Sequence, residues 1–300
     1  MAHQMPQVPG VRHRFIHAKG LNFHLAEAGE GDPVLLLHGW PQHWYAWRRL
    51  IPKLAERYRV LALDLRGFGW TDIAWQGFEK ENMADDVASV LAELEIQRLR
   101  LIGHDWGGWI GFLLALRRPD LVERLVALNT TTPWSLATPG LHSLRRLGHG
   151  ALIATPAGLA LLHRSNLAAR VVKRWTESRG SLQRSERRLY VRDLRASTRA
   201  RAGSLLHRTF LGREAFATAM GRYRDQRLSV PTLLLLGERD PIVSPRVPGR
   251  VMDHADDLRV EVVKDKGHFL PEEAPRIVVR YATEFFGGAS RPLAATGERA

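Results

Sequence analysis

LRLIGHDWGGWIG, residues 99–111, runs from a short apolar stretch into a glycine-bracketed turn and out into a second apolar stretch. The pattern reads as a buried strand, a sharp turn and a helix. Gly103, Gly107 and Gly108 allow the close backbone approach that such a turn needs. Asp105 then stands exposed at the C-terminal end of the strand, beside the positive end of the following helix. An aspartate there could simply cap the helix, so its meaning depends on what the chain places at its other strand ends.

Working outward, PVLLLHG (33–39), YRVLALDL (58–65) and LVERLVALN (121–129) read as further buried strands. ENMADDVASVLAELEI (81–96) and GGWIGFLLALRRP (107–119) read as helices between them. The alternation resumes with VPTLLLLGERD (230–240), LRVEVVKDKGH (258–268) and a helix around 275–286. This βαβ rhythm predicts an α/β protein with an open, mostly parallel central sheet flanked by helices. Residues 134–228 have another texture, helical in pattern and poor in strand signals. They contain 19 Lys and Arg against 5 Asp and Glu, so they carry the whole of the chain's net charge of +13. The expected organisation is a core domain built from 1–133 and 229–300, with 134–228 inserted as a helical cap.

The 300 residues are 45% hydrophobic, enough for a sizeable core, and include no cysteine, which excludes disulfides and thiol catalysis. The N-terminus lacks a basic-then-apolar leader, and no apolar run approaches a membrane span. The expectation is a soluble, cytoplasmic protein.

Three chemically able side chains fall just past strand ends, where open parallel sheets gather their sites. They are Asp105, Asp240 in GERDPIV and His268 in KGHFLPEEAP, in the order nucleophile, acid, histidine. HGWP, residues 38–41, follows another strand and is placed to contribute the Trp40 backbone N–H to an oxyanion hole, with the Trp106 N–H as its second donor. Both indole rings could also line a substrate pocket, or simply pack in the core. His38 and His104 read as hydrogen-bonding the loop backbones. Asn129 ends its strand.

HGWPQHWYAWR, DLRGFGWTD, GHDWGGWIG, GERDPIV and KGHFLPEEAP together resemble the α/β-hydrolase superfamily, and within it the epoxide hydrolases and their dehalogenase relatives. The resemblance runs over roughly residues 15–286 and is weakest in the cap. It implies the α/β-hydrolase fold and an aspartate nucleophile acting without cofactor or metal. An aspartate suits attack at saturated carbon. A serine would be left as an unhydrolysable ether, whereas a carboxylate is left as an ester that water can cleave. Asp105 would be the nucleophile, His268 the general base for water, and Asp240 the residue that orients His268. The resemblance also implies two cap tyrosines that donate to the epoxide oxygen. Tyr223 matches the second, while the first is missing and His149 stands near its place, with His142 a weaker candidate.

Other readings use the same residues. A haloalkane dehalogenase would employ the same aspartate, with Trp106 holding halide. A non-catalytic binding protein on this fold would be expected to lack part of the triad, and a serine esterase is disfavoured by Asp105. The expected substrate is a small apolar epoxide, aryl or fatty-acid-derived. The basic cap could touch an anionic membrane surface, and an apolar cap edge could form a homodimer. No groove-reading motif points to nucleic acid.

Overall fold

The computed structural model describes residues 4–135, 148, 150–164, 166–178, 180–245 and 250–288. His149 and His142 lie outside the described residues. The chain opens with a hairpin that the sequence reading did not assign, in which β1 (Arg12–Ala18) runs antiparallel to β2 (Leu21–Ala28). Lys19 and Gly20 make its two-residue turn with φ of 48° and 74°. That pair of positive angles matches the twist of a hairpin.

β3 (Pro33–Leu37), β4 (Arg59–Leu63), α1 (Lys80–Glu93), β5 (Leu99–His104), α2 (Trp106–Arg117) and β6 (Val122–Leu128) follow in the expected alternation. Between β6 and β7 the described elements are helical, with α3 (Pro156–Arg164), α4 (Leu167–Trp175), α5 (Arg184–Arg195) and α6 (Ser197–Thr209) as the longest. β7 (Thr232–Gly237), β8 (Leu258–Val263) and α7 (Pro275–Phe286) complete the sheet and its cover. The eight strands lie in the order β1-β2-β4-β3-β5-β6-β7-β8. β2 is antiparallel to β1 and β4, and the remaining pairs are parallel.

Successive strand residues feed opposite faces. Leu35, Leu37, Leu61, Leu101 and Leu125 pack with α1 and α2, and this layer continues into Ile153, Leu162, Leu194 and Leu206 of the helical segment. Val34, Leu36, Val60, Ile102 and Val126 pack with α7 and with Trp44 and Trp47. Both faces being covered explains why the strands are continuous apolar runs. The order β3-β5-β6-β7-β8 sets the loops carrying Trp40, Asp105, Asn129, Asp240 and His268 side by side at one edge. No helix among the described residues is long and apolar enough to cross a membrane.

A buried ionic network joins the helical segment to the sheet-bearing part. Arg48 Nη1 is 2.7 Å from Glu272 Oε2, and its Nη2 is 2.6 Å from Glu186 Oε1 on α5. The Tyr190 hydroxyl, also on α5, donates to Glu272 Oε1 at 2.7 Å. Glu272 is 1% exposed and Tyr190 is fully buried. Burying such charges is costly, and removing one partner strands the other. Arg48→Met should therefore destabilise the protein by about 3–5 kcal/mol in urea denaturation. The double change Arg48→Met with Glu272→Leu should recover a substantial part of that loss.

Candidate active site

The turn after β5 holds Asp105 at φ 51°, ψ −118°. That backbone conformation is sparsely populated by residues other than glycine and costs of order 1–3 kcal/mol. It survives because the turn is wedged between neighbours. A Cβ on Gly107 would fall 2.1 Å from the Leu37 carbonyl oxygen, and one on Gly39 would fall 2.4 Å from Asp105 Cβ. The close approach sets the Trp40 N–H 2.9 Å from Asp105 Oδ2. The Trp106 N–H also hydrogen-bonds this carboxylate. Burial raises the Asp105 pKa to about 6, although His268 and the two N–H groups pull it down.

His268 follows β8, and its Nδ1 lies 2.9 Å from Asp240 Oδ2. The other Asp240 oxygen accepts from the Ile242 and Val243 N–H groups at 2.7 and 3.1 Å. The carboxylate is thus fixed by backbone on one side and faces the imidazole on the other. Nε2 of His268 points towards Asp105 Oδ1 at 3.9 Å, beyond direct hydrogen-bond range. Burial alone pulls the His268 pKa down. Asp240, by charge and hydrogen bond, and then Asp105 more than offset this and raise it above 6.5. Asn129 steadies the loop from beneath. Its Nδ2 donates to the Gly267 and His268 carbonyls at 2.7 Å each, and its Oδ1 accepts from the Gly237 N–H at 2.6 Å. His104 Nε2 donates to the same His268 carbonyl at 2.8 Å. His38 accepts from the Leu65 N–H through Nε2 and donates through Nδ1 to the Gly39 carbonyl. Both histidines bond loop backbone.

The helical segment supplies aromatic walls. Trp175, at the end of α4, packs 5.5 Å from the His268 ring and 5.7 Å from Trp40, and its carbonyl accepts the His268 N–H at 3.0 Å. His207 on α6 stands edge-on to both loop tryptophans, 5.2 Å from Trp40 at 86° and 5.5 Å from Trp106 at 90°. Its Nδ1 lies 2.7 Å from the Gly203 carbonyl, which can only accept, so Nδ1 carries a proton. Gly203 itself allows the helix to approach, since a Cβ there would meet Trp40 Nε1 at 2.5 Å. Among the described residues no group of His, Cys, Asp and Glu is arranged to hold a metal.

The structure therefore brings Asp105, Asp240, His268, Trp40 and Trp106 together, and it pairs the Tyr223 hydroxyl with a carboxylate. The Tyr223 hydroxyl donates to Glu81 Oε1 on α1 at 3.0 Å, while Arg222 takes the other oxygen of that carboxylate at 2.7 Å. Glu81, at the start of α1, satisfies the phenol, and burial beside it raises the phenol's pKa. The aromatic group over the loop tryptophans is instead His207, which sequence reasoning missed. Its sole signal was the Gly203–His207 spacing of one helical turn within an arginine-rich helix.

The alpha/beta hydrolase fold family model matches residues 32–275. A soluble epoxide hydrolase of Corynebacterium sp. (strain C12) is 30% identical over 92% of this chain and 97% of its own length. Epoxide hydrolase 4 of Homo sapiens is 29% identical over 93% of this chain and 80% of its own. The solved structure of the epoxide hydrolase CorEH without ligand superposes with a TM-score of 0.82 at 29% identity, covering 93% of this chain and 99% of that one.

The electrostatics of the His268 pair can be tested directly. Asp240→Asn leaves burial opposed only by the remaining charges, so the His268 pKa should drop from above 6.5 to below it in an NMR titration of the imidazole.

Proposed function

The chain belongs to the α/β-hydrolase fold family and, within it, to the epoxide hydrolases, and on that premise we propose that it converts epoxides to vicinal diols through an ester on Asp105. The observation that carries this reading is the Asp105 carboxylate under two backbone N–H groups, with the His268–Asp240 pair behind it. Asp105 attacks an epoxide carbon, the ring C–O bond breaks, and the leaving oxygen takes a proton. His207 is the donor in this reading, in place of Tyr223, because it stands against both Trp40 and Trp106. With Nδ1–H committed to Gly203, donation from Nε2 makes the reactive form the imidazolium.

In the second half, His268 Nε2 takes a proton from water, whose oxygen attacks the ester carbonyl carbon of Asp105. The Trp40 and Trp106 N–H groups stabilise the tetrahedral oxyanion, a role worth roughly 3 kcal/mol per donor. The His268 imidazolium returns its proton to the departing alkoxide as the intermediate collapses, which releases the diol and regenerates the carboxylate. Asp240 keeps the imidazole oriented and stabilises its cation. Residues 134–228 are the cap in this reading, and Trp175, His207 and Phe210 are the described side chains by which it walls the site. Release of halide from an alkyl halide would use the same nucleophile, but a halide needs no proton, and the placement of His207 supports an oxygen leaving group.

His268→Gln should stop the cycle after ring opening. Intact-protein mass spectrometry should then show an adduct of the epoxide's full mass, located at Asp105 after peptide mapping. Asp105→Ala should give neither adduct nor diol. Bromide release from bromoalkanes without any diol from epoxides would transfer the chain to the halide chemistry. Since Asp105 must be ionised to attack, ring opening should also weaken as pH falls through about 6.

The cap also presents Phe216 and Met220, 71% and 66% exposed, with Arg213 and Arg224 exposed nearby in sequence. Aromatic and sulfur side chains among cations support contact with an anionic lipid surface. Cosedimentation with phosphatidylserine vesicles should fall for Phe216→Ser and disappear in high salt. Equal sedimentation with neutral vesicles would refute the contact.

A further inference from the structure

Lys80, the first residue of α1, sends its side chain inward and is fully buried. Its ammonium lies 2.6 Å from the Leu206 carbonyl oxygen, 2.9 Å from Glu214 Oε2, and 3.0 Å from both Thr209 Oγ1 and the Phe78 carbonyl oxygen. The Lys80 backbone N–H adds a bond to Glu214 Oε1 at 2.7 Å. Three of these partners belong to the helical segment, and Leu206 directly precedes His207. The same Nζ stands 5.0 Å from the centre of the Trp106 ring and 5.5 Å from that of Phe210. One cation thus meets the base of α1, the last turn of α6, the turn after it, and the ring of the residue that follows the nucleophile.

We propose that Lys80 is a positioning residue for ring opening, holding His207 and the Trp106 ring in register over Asp105. The proposal rests on the reading of Asp105 and His207 given above. A methionine could fill the same space without desolvating a charge, so packing alone does not account for a lysine here. Burial lowers its pKa to about 8, with Glu214 and then Glu79 opposing the shift, so near neutral pH it remains a cation. What the ammonium adds is direction. Its N–H groups fix the Leu206 carbonyl and the Thr209 hydroxyl, one residue before His207 and two after it. A cation over an indole face holds that ring as well. His207 acts only when the epoxide oxygen leaves, whereas ester hydrolysis depends on His268, which is tied to Asp240, Asn129 and the Trp175 carbonyl.

The effect should therefore fall on one chemical step. In single turnovers at pH 7 with excess enzyme, Lys80→Met should slow formation of the Asp105 ester about 100-fold, the scale of a roughly 1 Å misplacement. Hydrolysis of the ester, once formed, should stay within about threefold of wild type. Glu214→Gln keeps the cation and removes its charged partner, and should slow the same step less. Hydrogen exchange, which needs no turnover, should rise in the Leu206–Glu214 stretch of Lys80→Met and remain at wild-type levels in α4 and α5. Equal slowing of both steps, or exchange rising throughout the helical segment, would show a purely structural lysine and overturn the proposal. So would ester formation within about twofold of wild type in both variants. If wild-type enzyme forms no ester at Asp105 with any epoxide, the reading of the site fails instead, and the exchange pattern still decides whether Lys80 holds this turn.

Discussion

Everything at the site depends on one close approach, the seating of the turn after β5 against the loop after β3. The two strands are parallel neighbours, with Leu37 opposite Gly103. Their loops therefore leave the sheet together, and the missing side chains of Gly39 and Gly107 let the backbones meet. Only then does the Trp40 N–H reach the Asp105 carboxylate. The cost is a strained backbone at Asp105, and the surrounding packing must over-determine it for it to persist. The same N–H groups that steady the resting carboxylate point at its oxygens, where an ester's tetrahedral oxyanion would form. The arrangement is thus built before any substrate arrives, which is the condition for electrostatic stabilisation to need little reorganisation.

The second dependence is between the two halves of the chain. Asp105, His268 and Asp240 all come from sheet loops, but the walls over them come from helices that follow β6. Those helices are registered to the sheet by polar groups as well as by apolar packing: Glu186 and Tyr190 on Arg48 and Glu272, the Trp175 carbonyl on His268, and Leu206 with Glu214 on Lys80. Apolar surfaces can slide with little penalty, whereas buried charges tolerate few arrangements. A helical cover placed over a reactive carboxylate by such anchors would have one seating instead of several.

The sheet was legible because covered parallel strands leave an unmistakable trace of apolar runs, and because the turn chemistry around Asp105 demands glycines at fixed offsets. Asp240 and His268 were legible from their positions after strands. The β1–β2 hairpin was not, since RHRFIHA and LNFHLAEA carry histidines and arginine where a strand signal wants apolar residues. Tertiary partners explain them: His13 and His24 stack, and His24 Nδ1 lies 2.7 Å from the buried Asp64. The partner of Tyr223 was hidden for a related reason. Sequence spacing does not say which element a side chain meets, and Glu81, 142 residues away in the chain, takes the Tyr223 hydroxyl. His207 and Lys80 became visible only when the fold brought residues 80, 106 and 207 together.

The basic charge of the helical segment also reads differently once its partners are seen. Arg199 donates to the Thr71 carbonyl, Arg208 to the Ala154 carbonyl, and Arg195 to Asn166. Arg222 and Arg227 pair with Glu81 and Asp256, and Arg201 lies over the Trp75 ring. Guanidinium groups are suited to this because five fixed donors can satisfy carbonyl oxygens left over at helix ends and turns. Part of the positive charge is therefore engaged by neutral acceptors as well as by counter-charges. A net charge counted from sequence registers those arginines as if each were seeking an anion. Arg213 and Arg224, near Phe216 and Met220 in sequence, are exposed and carry charge to the surface.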